Sequence, residues 1–334
     1  MPAQPHFGDF DYHTVVGTFE PRLEQMLPHD PRFGLNLQVQ YIYGGFTTSD
    51  GTHVIVERKF IGPMTGGLWL MSTAPGTLKL DMGALRSTRG ETKREFTEGR
   101  RVWGEHLMHK LGQATGSGDQ PLTLDLNGDK ITWSEGDLLS LEGTLAGPGF
   151  QFYAPMRTEP LFYTTHAYWV KGTALGAEVD GFIGFDHGYW QHGREWKEYR
   201  IFHDIEVSWE VFGNQFEDGS NEWGVIVKGR GDMSAAVVFE GDKIMGRTNH
   251  MPARYDLDGD GFINEGVFTI GDAEWVFTGN ETGRMHEFSN ARWAGYRAQA
   301  GITRRRGDER TLKNSFCWIE FFPDRIQAEG LASG

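Results

Sequence analysis

The chain is nearly devoid of cysteine. Its 334 residues contain one, Cys317, so no intrachain disulfide can form and a reducing compartment is expected. It has no apolar run near the ~18 residues that cross a bilayer as a helix, which excludes a chain embedded in the membrane by helices. The early segment HFGDFDYHTVV has neither a basic stretch nor a long apolar one, so no leader is expected and the location should be cytoplasmic. Basic residues are outnumbered: 32 Lys plus Arg against 46 Asp plus Glu leave a formal charge of -14. Such a surface repels polyphosphate and anionic lipid, so nucleic acid is not an expected partner. One local exception, Arg304, Arg305, Arg306, Arg310 and Lys313, reads as a solvated loop.

Signatures of nucleotide chemistry are missing too. There is no Gly-x-x-x-x-Gly-Lys-Ser/Thr, no convincing Gly-x-Ser-x-Gly and no strand–helix dinucleotide fingerprint, so any reaction is expected to need no cofactor. No short fixed-period repeat is visible, which argues against propellers and solenoids. Helical patterns are also scarce. Residues 19–27, with Thr18 and Pro21 at capping positions, and parts of 90–111 are the two candidates.

What the chain does have is aromatics, glycine and alternation. With 38% hydrophobic residues, 13% aromatic residues and 46 Gly, it suits many short strands joined by tight turns and is too apolar for global disorder. Leu35, Leu37, Val39, Tyr41 and Tyr43 alternate with Asn36, Gln38 and Gln40, the period-two mark of a strand with one buried face. Asp50-Gly51, Asn127-Gly128 and Gly241-Asp242 each separate two such runs, as hairpin turns do. The late runs AEWVFTG and FCWIEFF add two more strands, and Cys317 within the second is expected to be a small core residue. All-β is therefore the expected class, as a meander or a pair of barrels. The small-residue stretch KGTALGAEVDG at 171–181 reads as the connection between halves, dividing the chain into 1–172 and 173–334.

Residues 181–212 are the densest in titratable and aromatic groups: Asp186, His187, His192 and His203 among Tyr189, Trp190, Trp196, Tyr199 and Trp209. Ile201, His203, Ile205, Val207, Trp209 and Val211 share one face of a predicted strand, so His203 is expected to point inward. A histidine on an apolar face is more often a satisfied core residue than a catalyst. Asp186 and His187 are adjacent, so on a regular strand they face opposite sides. Both could enter one cavity only if a bulge intervened, which Gly181, Gly184 and Gly188 would permit.

The run GFDHGYW followed by GREW resembles the glycine, aromatic, Asp-His, aromatic motif of the superfamily that contains carotenoid 1,2-hydratase and kievitone hydratase. That resemblance implies two tandem lipocalin-like antiparallel β-barrel domains with few short helices. It carries over to Asp186 and His187, and less closely to Trp190, which stands one place later than in the hydratase pattern. The hydratases' downstream Tyr and Asp have no counterpart here.

Hydrating an unactivated alkene needs a strong acid that protonates carbon, a site that excludes bulk water, and π faces that stabilise the cation. Asp186, His187, His192 and His203 are the candidates for acid–base work, and Tyr189, Trp190, Trp196 and Trp209 for substrate contact. The expected activity is thus a cofactor-independent lyase or isomerase of hydratase, dehydratase or cyclase type. Its substrate would be a lipophilic terpenoid, polyketide or aromatic molecule. A carrier that only binds such a ligand is the alternative.

No metal is expected. His106 and His109 are three apart and His187 and His192 five apart, without a third ligand. Asp256, Asp258, Asp260 and Gly261 begin like a calcium loop, but Val267 stands where the closing glutamate belongs, so an acidic hairpin turn is expected.

Overall fold

The computed structural model describes residues 14–23, 31–88, 90–97, 99–107, 121–155, 159–191, 200–288 and 295–333. Strands dominate throughout. The first group is β1 (Val15–Phe19), β2 (Asn36–Thr48), β3 (His53–Ile61), β4 (Met64–Thr65), β5 (Trp69–Ser72), β6 (Lys79–Leu80) and β7 (Gly90–Thr97). It continues with β8 (Arg100–Leu107), β9 (Leu122–Asn127), β10 (Lys130–Glu135), β11 (Leu139–Leu145), β12 (Gly149–Ala154), β13 (Leu161–Ala174) and β14 (Ala177–Trp190). The second group is β15 (Ser208–Phe216), β16 (Asn221–Lys228), β17 (Ser234–Glu240), β18 (Lys243–Thr248) and β19 (Ala253–Leu257). It ends with β20 (Ile263–Ile270), β21 (Ala273–Arg284), β22 (Arg297–Arg305) and β23 (Leu312–Phe321). Helices α1 (Met82–Ser87), α2 (Arg200–Ile205) and α3 (Pro323–Ala328) are short. Among the described residues no helix is long and apolar enough to cross a membrane, which says nothing of crossing by strands.

All pairings between these strands are antiparallel. In the first sheet β14, β2, β3, β4, β7, β8, β9, β10, β11 and β13 follow one another, and the β13–β14 hairpin closes them into a 10-stranded barrel. Closure removes the exposed strand edges that an open sheet would leave. The second sheet runs β18-β17-β16-β15-β23-β22-β21-β20-β19 as an open half-barrel.

Three layers of packing follow from this. One core fills the barrel, including Trp103, Leu124, Trp133, Tyr168, Ile183 and Phe185. Another, including Phe212, Ile226, Phe268, Trp275 and Ile319, fills the concave side of the half-barrel. The third lies between the two sheets and draws Phe182 and Val39 from the barrel, and Val211, Trp223 and Phe316 from the half-barrel. Reciprocal insertions seal that interface. A Cβ on Gly45 of β2 would lie 2.3 Å from the Phe316 ring, and one on Gly213 of β15 would lie 2.3 Å from the Phe182 ring. Glycine at both places lets each aromatic ring touch the opposing backbone, and the two rings stack at 5.5 Å.

Several expectations need correction. Residues 171–181 are no interdomain connection: Leu175 and Gly176, with φ of 52° and 79°, turn β13 directly into β14, pairing Lys171 with Asp180 inside the barrel. The chain passes from one sheet to the other between Trp190 and Ser208. The helical reading of 90–111 fails because β7 and β8 form a hairpin, with 108–111 outside the described residues; in the other candidate Phe19 ends β1 and 20–22 are irregular, while 24–27 lie outside the described residues. Most of the basic cluster is ion-paired rather than simply solvated, Arg305 alone of the five staying exposed without a carboxylate among the described residues. Arg310 pairs with Asp308, Glu222 and Glu240, Arg306 with Glu274, and Lys313 with Asp180. The acidic hairpin turn is as expected: Asp258–Phe262 joins β19 to β20, with Asp258 accepting from the Asp260 and Phe262 amides and pairing with Arg284.

Candidate active site

Asp186 sits near the end of β14, flanked by Thr165 on β13 and Tyr41 on β2. Period two sends Phe182, Gly184, Asp186 and Gly188 to the outside of the barrel, toward the second sheet, while Ile183, Phe185 and His187 enter the barrel. The carboxyl is 3% exposed. Its Oδ1 accepts from the Tyr43 hydroxyl at 3.1 Å and its Oδ2 from the Tyr163 hydroxyl at 2.9 Å.

The two glycines beside Asp186 make this arrangement fit. A Cβ on Gly184 would lie 2.6 Å from Tyr43 Cζ, and one on Gly188 would lie 2.6 Å from the Trp190 ring and 3.3 Å from the Tyr163 ring. The Gly-x-Asp-x-Gly spacing thus clears the same strand face on both sides of the acid, and aromatic rings occupy the space a Cβ would take there.

Burial raises the Asp186 pKa to about 7, against the lowering pull of the Thr165, Tyr163 and Tyr43 hydroxyls, with a further rise from Glu320. Glu57 on β3, the cross-strand partner of Tyr43, is also held well above the carboxylate range, by burial and then by Glu320, with Lys59 opposing. Glu320 on β23 is raised by burial while it accepts from the Trp318 indole at 3.1 Å and from the Tyr296 hydroxyl. Three carboxyls, from three strands and both sheets, are therefore biased toward their neutral forms in one neighbourhood. Lys59, whose ammonium lies 5.1 Å from the Tyr41 ring centre, counters part of that bias at Glu57 and Glu320. Tyr41, Tyr43, Glu57, Lys59 and Glu320 are half-buried, so the surroundings of the enclosed Asp186 keep accessible surface.

The sequence candidates separate in three dimensions. Trp209 joins Asp186, because it packs edge-on at 4.8 Å against Tyr163, and Trp190 joins through its contact over Gly188. His187 does not. The strand irregularity falls between Gly188 and Tyr189, one residue too late to turn Asp186 and His187 to the same side, so the imidazole enters the barrel. Tyr189 packs against Phe162 in a small cluster with Leu35. His203 corrects the expectation of a strand: it lies on α2, exposed, with Nδ1 3.1 Å from Arg325 Nη2. The alternation from Ile201 to Val211 crosses from helix to strand and has no single face. Ser208 and Glu210, among the polar residues that alternate with the apolar ones, are buried as well. His192 and Trp196 lie outside the described residues.

Tyr43, Tyr163, Glu57 and Glu320 were not legible as site residues. Tyr43 was visible as one member of a buried strand face, but its meeting with Asp186 depends on the β2–β14 register, for which no local signal exists. Among the described residues no three His, Cys, Asp or Glu side chains come together in a manner that could hold a metal ion. His106 is on β8, and His109 lies outside the described residues.

Two solved structures are similar in fold. One, assigned as an AttH of Nitrosomonas europaea, is 12% identical, spans 88% of this chain and 98% of its own, and superposes with a TM-score of 0.46. The other, kievitone hydratase from Nectria haematococca, is 9% identical, spans 93% and 97%, and gives 0.39. What the structure itself establishes is an all-β antiparallel fold, a closed 10-stranded barrel beside an open half-barrel. No family model matches the chain, and no curated protein matches it. Likeness at this depth carries nothing about substrate or residue roles, which have to be argued from the site.

Proposed function

We propose that the protein is a cofactor-independent lyase or isomerase that protonates a carbon of a lipophilic, alkene-bearing small molecule between its two sheets. The observation that carries this reading is the enclosed Asp186 carboxyl, poised near pH 7 and held by two tyrosine hydroxyls in an aromatic setting. A general acid works best when its pKa lies near the working pH. Protonated Asp186 gives its proton to the alkene carbon, and the alkene's π electrons form the new C–H bond. The cation left on the neighbouring carbon faces the indoles of Trp209 and Trp190, whose π faces favour positive charge. Tyr43 and Tyr163 donate to the carboxylate that has just formed, which is where negative charge develops. Capture of the cation by water gives a hydratase, loss of a different proton an isomerase, and attack by an internal nucleophile a cyclase.

His187 takes no part in this chemistry, because the barrel wall separates it from Asp186. The test is solvent deuterium exchange with a panel of terpenoid, polyene and aryl-alkene compounds, using the wild type and Asp186→Asn. Deuterium should enter carbon with the wild type and be lost with the variant. Binding without exchange in either protein, read from tryptophan quenching, would replace this reading with that of a carrier.

A further inference from the structure

The barrel interior holds a second polar cluster that the interface chemistry leaves unused. His187, Gln40 and Phe60 are cross-strand partners and form a single rung over β14, β2 and β3. His166 stands beside them, its ring stacked on that of His187 with centres 5.7 Å apart. Gln40, His166 and His187 are 1%, 0% and 2% exposed, yet among the described residues both amide atoms of Gln40 and all four imidazole nitrogens have no hydrogen-bond partner. Leaving a buried polar group unsatisfied costs about 1–3 kcal/mol, so three adjacent side chains in that condition point to something that satisfies them.

A pocket of about 280 Å³ opens onto this rung, with Gln40 and Phe60 among its lining and Gly62, Pro63 and Arg94 also lining it. Its size is below the roughly 300–1,000 Å³ of sites for drug-sized ligands, so it admits a compact molecule. Arg94 supplies the charge. Its Nη2 donates to the Gly62 carbonyl at 2.8 Å, and among the described residues its buried Nε has no acceptor and no carboxylate pairs with it. On a chain of charge -14 this guanidinium places a positive charge at the mouth of the pocket. Burial, and after it Arg32, holds the His187 pKa down to about 3, so that imidazole is neutral.

We propose that this end of the barrel is a binding site for a compact organic carboxylate. The carboxylate pairs with Arg94, and a hydroxyl or carbonyl at the far end of the molecule reaches Gln40 and the neutral imidazoles. Neutral imidazole both donates and accepts, as does the amide, so the inner end reads a group that can do the same. An arginine fork favours a carboxylate geometrically as well as by charge.

The test is calorimetric titration of the full chain with 4-hydroxybenzoate, benzoate, hexanoate, 4-hydroxybenzamide and inorganic sulfate. Saturable binding of 4-hydroxybenzoate in the millimolar range or tighter is expected, with the neutral amide at least about tenfold weaker and benzoate weaker than its hydroxylated analogue. Arg94→Gln, a half-buried rim change that leaves the core intact, should weaken 4-hydroxybenzoate by about tenfold or more. Gln40→Leu should erase the advantage over benzoate, and Asp186→Asn should bind as the wild type does. That last variant separates this site from the proposed reaction centre. No binding of any carboxylate, equal binding of acid and amide, an unaffected Arg94→Gln, or loss of binding in Asp186→Asn would each overturn the assignment. Equal competition by sulfate would reduce it to an adventitious ion only.

Discussion

Replacing Asp186 with Asn removes an ionisable carboxyl from a place where ionisation is costly, and the size of the effect follows from the pKa. Folding moves the carboxyl from 3.8 to about 7. At ~1.36 kcal/mol for each tenfold change in proton affinity, that difference is worth about 4 kcal/mol. The direction is fixed by proton uptake. Between pH 4 and 7 the folded protein holds a proton on Asp186 that the unfolded chain has released, so unfolding releases it and stability falls as pH rises. The contribution is fully present below the unfolded pKa and is lost as pH passes the folded one. Asparagine has no such dependence. Urea unfolding of both proteins at half-unit steps from pH 4 to 8 should therefore show the variant gaining up to about 4 kcal/mol relative to the wild type across the series. Glu57 adds to the trend with the same sign, since the ionised Asp186 raises its pKa. A difference between the two proteins that stays constant within about 1 kcal/mol, or one that grows in the wild type's favour with pH, would refute the reasoning.

Two further changes probe the architecture. Gly184→Ala places a methyl 2.6 Å from Tyr43 Cζ, so the ring must move and its hydrogen bond to Asp186 is lost. Since that bond lowers the Asp186 pKa, the carboxyl should titrate higher in the variant, at a stability cost of about 1–3 kcal/mol, as read by urea melts and carboxyl NMR. An unchanged titration would show that Tyr43 does not act on the acid. Inside the barrel, Arg58 and Glu135 are both fully buried and bonded at 2.9 Å, with Trp133 also donating to the same oxygen at 2.8 Å. Glu135→Leu alone should cost about 3–5 kcal/mol by stranding the guanidinium, and adding Arg58→Met should recover much of it. A single variant that melts like the wild type would contradict this.

Turn chemistry and alternation made most strands readable. Asp50-Gly51, Asn127-Gly128 and Gly241-Asp242 each close a hairpin, between β2 and β3, β9 and β10, and β17 and β18, with positive φ at each glycine. Leu175-Gly176 does the same, but its small-residue neighbours look like a linker, and a positive φ at leucine has no sequence signal. Asp186 was legible from glycine spacing and the hydratase resemblance, because those are local features. Its partners were not. Tyr43, Tyr163 and Glu320 reach it through strand register and sheet-on-sheet packing, and His187 was misplaced because a bulge was foreseen in the right strand but not at the right residue. His203 shows the remaining weakness, since a period-two pattern can run through a helix end into a strand without describing either.

The central claim is that Asp186 is a neutral acid near physiological pH, and infrared difference spectroscopy of wild type minus Asp186→Asn tests it without a substrate. The account predicts a protonated-carboxyl C=O band assigned to Asp186 that persists from pH 5 to 6 and disappears with a midpoint at about 7. Carboxylate bands for this residue already complete at pH 5 would contradict it.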